Sequence, residues 1–255
     1  MHLDHVALAT RDVSEPLAAL VGRLGATVLS GGEWIGFRPM QVFLGDDAGG
    51  MKIELLEPWD VARNDFLERF LVRHGGGPHH LTFKVDDLPA ALDRIAGAGF
   101  TPVSVDLSQP EWREAFLLPR DAHGTVVQLA DSNLSTGLPL DEYRAARRDG
   151  AMGAPRWWPD PPPPAPRRAR LRRVVVRSPD LDSARSLFGD LLGGTSIGPA
   201  TEGDLELEWP GGGCLRFELS RDAPPGIDRL ELDGAPDDLE VAGARLVVRA
   251  PSDQS

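Results

Sequence analysis

His5 to Leu20 reads HVALATRDVSEPLAAL and His80 to Ile95 reads HLTFKVDDLPAALDRI, and the two lie over one another without a gap. Each begins with the apolar–polar alternation of a half-buried strand. Each then passes an acidic turn, at Asp12 or Asp87, into an Ala- and Leu-rich helical run. The acidic residue predicts an N-cap, because its carboxylate can accept from the backbone N–H groups that a first helical turn leaves over. Gly25 and Gly99 stand where the helices end, and a left-handed cap costs glycine little. Strand-like runs follow: QVFLG (41–45) and MKIELLEP (51–58) in the first copy, EAFLLP (114–119) and TVVQLAD (125–131) in the second. The repeated unit is βαβββ, present twice in residues 1–132. One such unit has open edges and a face to cover, and pairing two copies buries both. The fold class is α+β.

A third, weaker copy starts at LRRVVVRSPDLDSARSLFGDLLGGT (171–195), and CLRFELS (214–220) and IDRLELDG (227–234) match MKIELLE and HHLTFKV. The chain given ends soon afterwards, so a fourth unit is shortened. Between the halves lies AMGAPRWWPDPPPPAPRRAR (151–170), whose prolines favour an extended spacer. The expected organisation is a first domain over 1–132, a helix and Pro-rich linker over 133–170, and a degenerate domain over 171–255. DEYRAARRDG (141–150) is read as a short helix, and Trp157 and Trp158 as anchors that dock the linker.

The composition narrows the function. Apolar residues make up 41% of the 255, as in globular chains. A formal charge of −12 speaks against nucleic-acid binding, and the cluster Arg167–Arg173 beside the prolines reads as solvated linker. A single cysteine, Cys214, excludes an intrachain disulfide framework and fits a reducing compartment. No run approaches the about 20 apolar residues of a spanning helix, and no signal segment is visible, so a cytoplasmic location is expected.

The repeat also aligns polar residues. His5 and His80 stand in the first strand of their copies, and Glu54 and Gln128 in the last, at spacings that differ by one residue. On period-2 strands all four can face one concave surface among apolar neighbours. Two imidazoles, a carboxylate and an amide oxygen suit a first-row divalent ion and leave positions for water or substrate.

LDHVALAT (3–10), MKIELLEP (51–58), GGGPHHLTFKV (75–85) and HGTVVQLAD (123–131) resemble the four motif strands of the vicinal-oxygen-chelate superfamily, most like its methylmalonyl-CoA epimerase and glyoxalase I branch. The resemblance covers about half the chain. It implies paired βαβββ modules curling into an incomplete barrel around one divalent ion (Zn, Ni, Co, Mn or Fe), held by His5, Glu54, His80 and Gln128. His79 precedes the motif histidine and by alternation should face the other side. The implied activity is isomerase or lyase chemistry on a small carbonyl or acyl-thioester compound, through an enolate, with Glu54 and Gln128 as the catalytic pair. FLERFLVRHGGG (66–77) resembles the segment that covers the pocket in that branch and reads equally well as a packing helix.

The chain departs from the family pattern at Gln128, where the resembled enzymes carry a Glu that can also act as base. An amide does not accept a proton usefully near neutral pH. The stretch FRPMQVFLG (37–45) holds no replacement carboxylate, and Glu33, Glu114 and His123 are the reserve candidates. With Glu54 as the one carboxylate, two other readings stand: a non-haem iron dioxygenase, and a non-catalytic small-molecule binding protein of the resistance type. In the third copy Arg173 and Arg229 replace the histidines, and only Glu218 keeps its place. An arginine stays protonated and is no ordinary ligand. That half is expected to cover a face of the first or support a homodimer, with an anion pocket between the two arginines as a weaker option. Gly75–Gly77 and Gly211–Gly213 lack the strand-to-helix context of a phosphate cradle and read as turns.

Overall fold

The computed structural model describes residues 1–47, 49–132, 157–198 and 203–249. The first module runs β1 (His2–Ala9), α1 (Ser14–Ala18) continued by a π-helical turn (Ala19–Arg23), β2 (Thr27–Gly31), β3 (Gly36–Asp46) and β4 (Gly49–Trp59). After α2 (Phe66–His74) the second module repeats the order with β5 (Gly77–Lys84), α3 (Leu88–Gly97), β6 (Val103–Asp106), β7 (Arg113–Leu117) and β8 (Val126–Asp131). Their strands form one eight-stranded sheet in the order β2-β3-β4-β1-β5-β8-β7-β6, so the two copies meet at β1 and β5. The histidine-bearing strands are thereby neighbours, although 75 positions separate their histidines in the chain.

The third module is complete: β9 (Arg170–Ser178), α4 (Leu181–Ala184) continued by a π-helical turn (Arg185–Leu191), β10 (Thr195–Ser196), β11 (Asp204–Glu208) and β12 (Cys214–Leu219). Among the described residues the fourth has three strands, β13 (Gly226–Asp233), β14 (Leu239–Val241) and β15 (Ala244–Val248), with no helix. These make a seven-stranded sheet, β10-β11-β12-β9-β13-β15-β14. The architecture is α+β with two open sheets, as the repeat implies, and neither closes into a barrel. No described helix is long and apolar enough to cross a membrane. The short helix expected over 141–150 lies outside the described residues.

Local signals act unevenly. Asp87 caps α3 as expected, its carboxylate accepting from Ala90 N–H at 2.9 Å, and Asp180 caps α4 in the same way. A cap of this kind contributes about 1 kcal/mol. In the first copy the N-cap is Val13, one residue later than the pattern suggests. Asp12 still accepts from Ser14 N–H at 2.7 Å, while Glu57 reaches across from β4 to take Val13 N–H at 2.8 Å.

Contacts divide the chain into two compact units. One holds the start of β1, the second module and the third. Its core is aromatic: Phe83, fully buried, meets Phe188 and Trp209 at ring distances of 6.0 and 5.3 Å, and Phe188 meets Phe217 at 4.7 Å. The approach is close enough at Gly124 (φ +79°) that a Cβ there would stand 2.2 Å from the Pro225 carbonyl oxygen. The other unit holds most of the first module, the stretch from Trp157 and the last strands. Trp158 lies so near Gly31 that a Cβ on that glycine would be 2.4 Å from its ring. Trp157 donates to the Pro39 carbonyl at 3.3 Å, and the Arg38 guanidinium lies over the rings of Trp157 and Trp59. The tryptophan pair anchors this stretch on β2 and β3.

Candidate metal centre

Alternation along β5 sends His80, Thr82 and Lys84 to one face and the buried Leu81 and Phe83 to the other, where Phe83 joins the aromatic core. On the neighbouring strands His5, Glu54 and Gln128 turn to the same side as His80. His5, Glu54 and His80 each offer one ligand atom, all three atoms lie within 4.8 Å of one another, and all three residues are buried. The His5 and His80 rings meet edge to face at 5.7 Å between centroids.

The neighbours of this cluster orient it. Asp4 Oδ2 is 2.7 Å from His5 Nδ1, and a carboxylate there requires Nδ1–H and turns the Nε2 lone pair inward. Thr82 Oγ1 is 2.9 Å from His5 Nε2 and donates to Gln128 Oε1 at 2.6 Å. Gln41, opposite Glu54 in the β3–β4 register, donates to Glu54 Oε1 at 3.0 Å. Thr82 has one proton and faces two lone-pair atoms. Two imidazoles and a carboxylate whose ligand atoms share one buried point suit a divalent ion, and a backing carboxylate behind a ligating histidine is usual in metal centres. The donor set therefore fits a divalent ion.

Of the reserve groups, Glu114 belongs to this surroundings: its Oε2 accepts from both Gln128 Nε2 and Trp112 Nε1, each at 2.7 Å. Glu33 is exposed. His123 is buried with its Nδ1 2.9 Å from Ser178 Oγ and its ring against Phe188 and Phe217, in the aromatic core. Lys84 is also buried on the site face, its Nζ 3.6 Å from the centre of the Trp112 ring. Thr82, Asp4, Gln41, Lys84 and Trp112 were not among the sequence candidates. Their signals are visible in hindsight: Thr82 and Lys84 share His80's parity, and Asp4 directly precedes His5.

His79 does not follow simple alternation. Its ring packs on Phe66 and Phe70 of α2, at 6.0 and 4.7 Å. α2 buries Leu67 and Leu71 against Ala7, Ala9 and Leu56, whose parity matches His5 and Glu54. His79 thus lies against α2, on the side of the sheet that α2 covers. Burial lowers its pKa from 6.5 to about 4, with Glu54 pulling upward and His74 adding to the depression. The unfolded chain takes up this proton near pH 6.5, so the stability from the neutral ring is complete above that pH and is lost as the pH falls toward 4. An NMR titration of the His79 ring is expected to show a midpoint near 4; a midpoint near 6.5 would place the ring in water.

On the second sheet the corresponding positions hold ion pairs. Arg229 grips both oxygens of Glu218, at 3.0 and 2.6 Å, and Arg173 pairs with Glu206. Both guanidiniums of the suggested anion pocket are thus engaged by carboxylates. Gly211 and Gly212 lie in the turn between β11 and β12, with φ near +90°.

Comparison with known proteins agrees with this architecture. Residues 4–116 match the model of the Glyoxalase/Bleomycin resistance protein/Dioxygenase superfamily. The chain is 30% identical over 133 residues to an ethylmalonyl-CoA/methylmalonyl-CoA epimerase of Cereibacter sphaeroides, which spans 50% of this chain and 95% of that protein. It is 30% identical over 130 residues to the human mitochondrial methylmalonyl-CoA epimerase, covering 50% of this chain and 72% of that one. A crystal structure of a hypothetical protein from Staphylococcus aureus shares the fold over 97% of this chain and 98% of its own, with a TM-score of 0.61 and 11% identity. The two-sheet architecture thus recurs in a solved protein, and the repeat, the strand order and the near-complete match to a curated relative lead to one conclusion: this chain belongs to the Glyoxalase/Bleomycin resistance protein/Dioxygenase superfamily.

Proposed function

We propose that this chain is a metal-dependent enzyme of isomerase or lyase type, which moves the proton alpha to the carbonyl of a small carbonyl or acyl-thioester substrate. The observation that carries the reading is the convergence of His5, Glu54 and His80, from three strands, on one buried point. Residues 1–132 bear the site, with His5, Glu54, His80 and Gln128 as ligands, and residues 171–255 are a degenerate half whose histidine positions hold paired arginines. When bound, a divalent ion supplies Lewis-acid stabilisation of negative charge on substrate oxygens. Glu54 carries the proton, and Gln41 holds its Oε1 in place. Gln128 contributes an oxygen and no base. α2, packed over Ala7, Ala9 and Leu56, covers apolar sheet on the same side and limits water there.

The names of the relatives direct the first test, since both are epimerases of malonyl-CoA derivatives. Protein loaded with Co²⁺ is expected to exchange the alpha proton of methylmalonyl-CoA or ethylmalonyl-CoA with solvent deuterium, read by NMR, and chelation is expected to stop it. One observation favours a second reading: the last strand carries Gln128 in place of a carboxylate, which suits a site that binds without turnover. Thioester binding without exchange would select that reading and sink the enzyme.

A further inference from the structure

Gln128 can hold a cation only through its oxygen, and an amide reversed about its last bond presents –NH₂ instead. Something must therefore choose between the two orientations. In β7, Glu114 pairs with Ala130 and Phe116 with Gln128, so Glu114 and Gln128 are diagonal neighbours on one face. Glu114 Oε2 accepts from Gln128 Nε2 at 2.7 Å, and Trp112 Nε1 donates to the same oxygen at 2.7 Å. On the other side Thr82 donates to Gln128 Oε1 at 2.6 Å. An ionised carboxylate only accepts, so the reversed amide would set oxygen against oxygen at Glu114; the Thr82 hydroxyl can donate or accept, and the choice therefore falls to Glu114.

We propose that Glu114, braced by Trp112, is a positioning residue of the metal centre: it fixes the Gln128 amide with Oε1 toward Thr82 and His5. This rests on the metal-centre reading above. It also accounts for the amide itself, because a glutamate at position 128 would meet Glu114 charge to charge. The pair keeps a carboxylate in the arrangement but moves its charge one residue outward, which leaves Glu54 as the single charged ligand.

The test uses the full chain, stripped of metal and titrated with Co²⁺, with the visible absorption of the ion as readout and circular dichroism to verify folding. Glu114→Ala is expected to weaken Co²⁺ binding about 10- to 100-fold, the range for losing an outer partner of a ligand. Glu114→Gln keeps an acceptor for Gln128 and Trp112 and should bind within about threefold of the parent. Glu114→Met, similar in length but without the acceptor, carries the alanine expectation should alanine disturb the strand. Because Glu114 acts through Gln128, the double variant Glu114→Ala/Gln128→Ala should bind no more weakly than Gln128→Ala alone. Additive losses, or parental binding by the alanine and methionine variants while His80→Ala loses Co²⁺, would overturn the proposal. Parental binding by His80→Ala would overturn the metal-centre reading instead.

Discussion

Glu54→Gln is expected to lower alpha-proton exchange by about 10²- to 10⁴-fold, the contribution of a positioned general base. The substitution keeps the side chain's length and an amide oxygen, so a donor atom remains at the cluster of His5 and His80. It can also keep the bond from Gln41, which reaches Glu54 Oε1 at 3.0 Å, because an amide oxygen accepts as a carboxylate oxygen does. What is removed is the negative charge and, with it, the capacity to take a proton. The measurement is the exchange rate in deuterated solvent, set beside the Co²⁺ content of the same preparation. Exchange at the parental rate with Co²⁺ retained would remove Glu54 from the proton-carrying role. Loss of both exchange and metal would mean that the carboxylate charge is needed to hold the ion, and Gln128→Glu would then be no substitute beside Glu114.

Phe83→Ala is expected to cost about 3–5 kcal/mol, the range for emptying a buried aromatic site. Phe83 is fully buried on the side of β5 away from His80 and Thr82, against Phe188 and Trp209. Trp209 is tied by its indole N–H to the Leu192 carbonyl at 2.8 Å, so it cannot swing in to fill the space. Against a total stability of about 5–15 kcal/mol, such a loss is large. Denaturant unfolding measures it, and a loss below about 1 kcal/mol would mean that the core collapses around the gap. The second and third copies of the repeat share this aromatic core, so the third serves the fold even though Arg173 and Arg229 occupy the histidine positions. An exposed Phe83 face would be an apolar patch on a fragment ending at residue 132.

Much of the molecule is legible in the one-dimensional pattern. HVALATRDVSEPLAAL over HLTFKVDDLPAALDRI determines the βαβββ unit, and the matched spacings from His5 to Glu54 and from His80 to Gln128 determine four candidate positions. These are properties of period and spacing along the chain, and strand alternation carries them directly into which face a residue occupies. What alternation does not contain is which strand lies beside which, and in what register. The order β4-β1-β5-β8 is a long-range outcome that gathers the histidines. The register of β7 on β8 makes Glu114 the diagonal neighbour of Gln128 and turns a reserve candidate into its partner. The same kind of long-range contact removes His123 to the aromatic core beside Ser178, while a nearer one holds His79 against α2. The sequence by itself determined the unit, its repetition and the donor types; only the tertiary structure decided which polar atoms meet, because hydrogen bonds act over about 3 Å between residues that the chain keeps far apart.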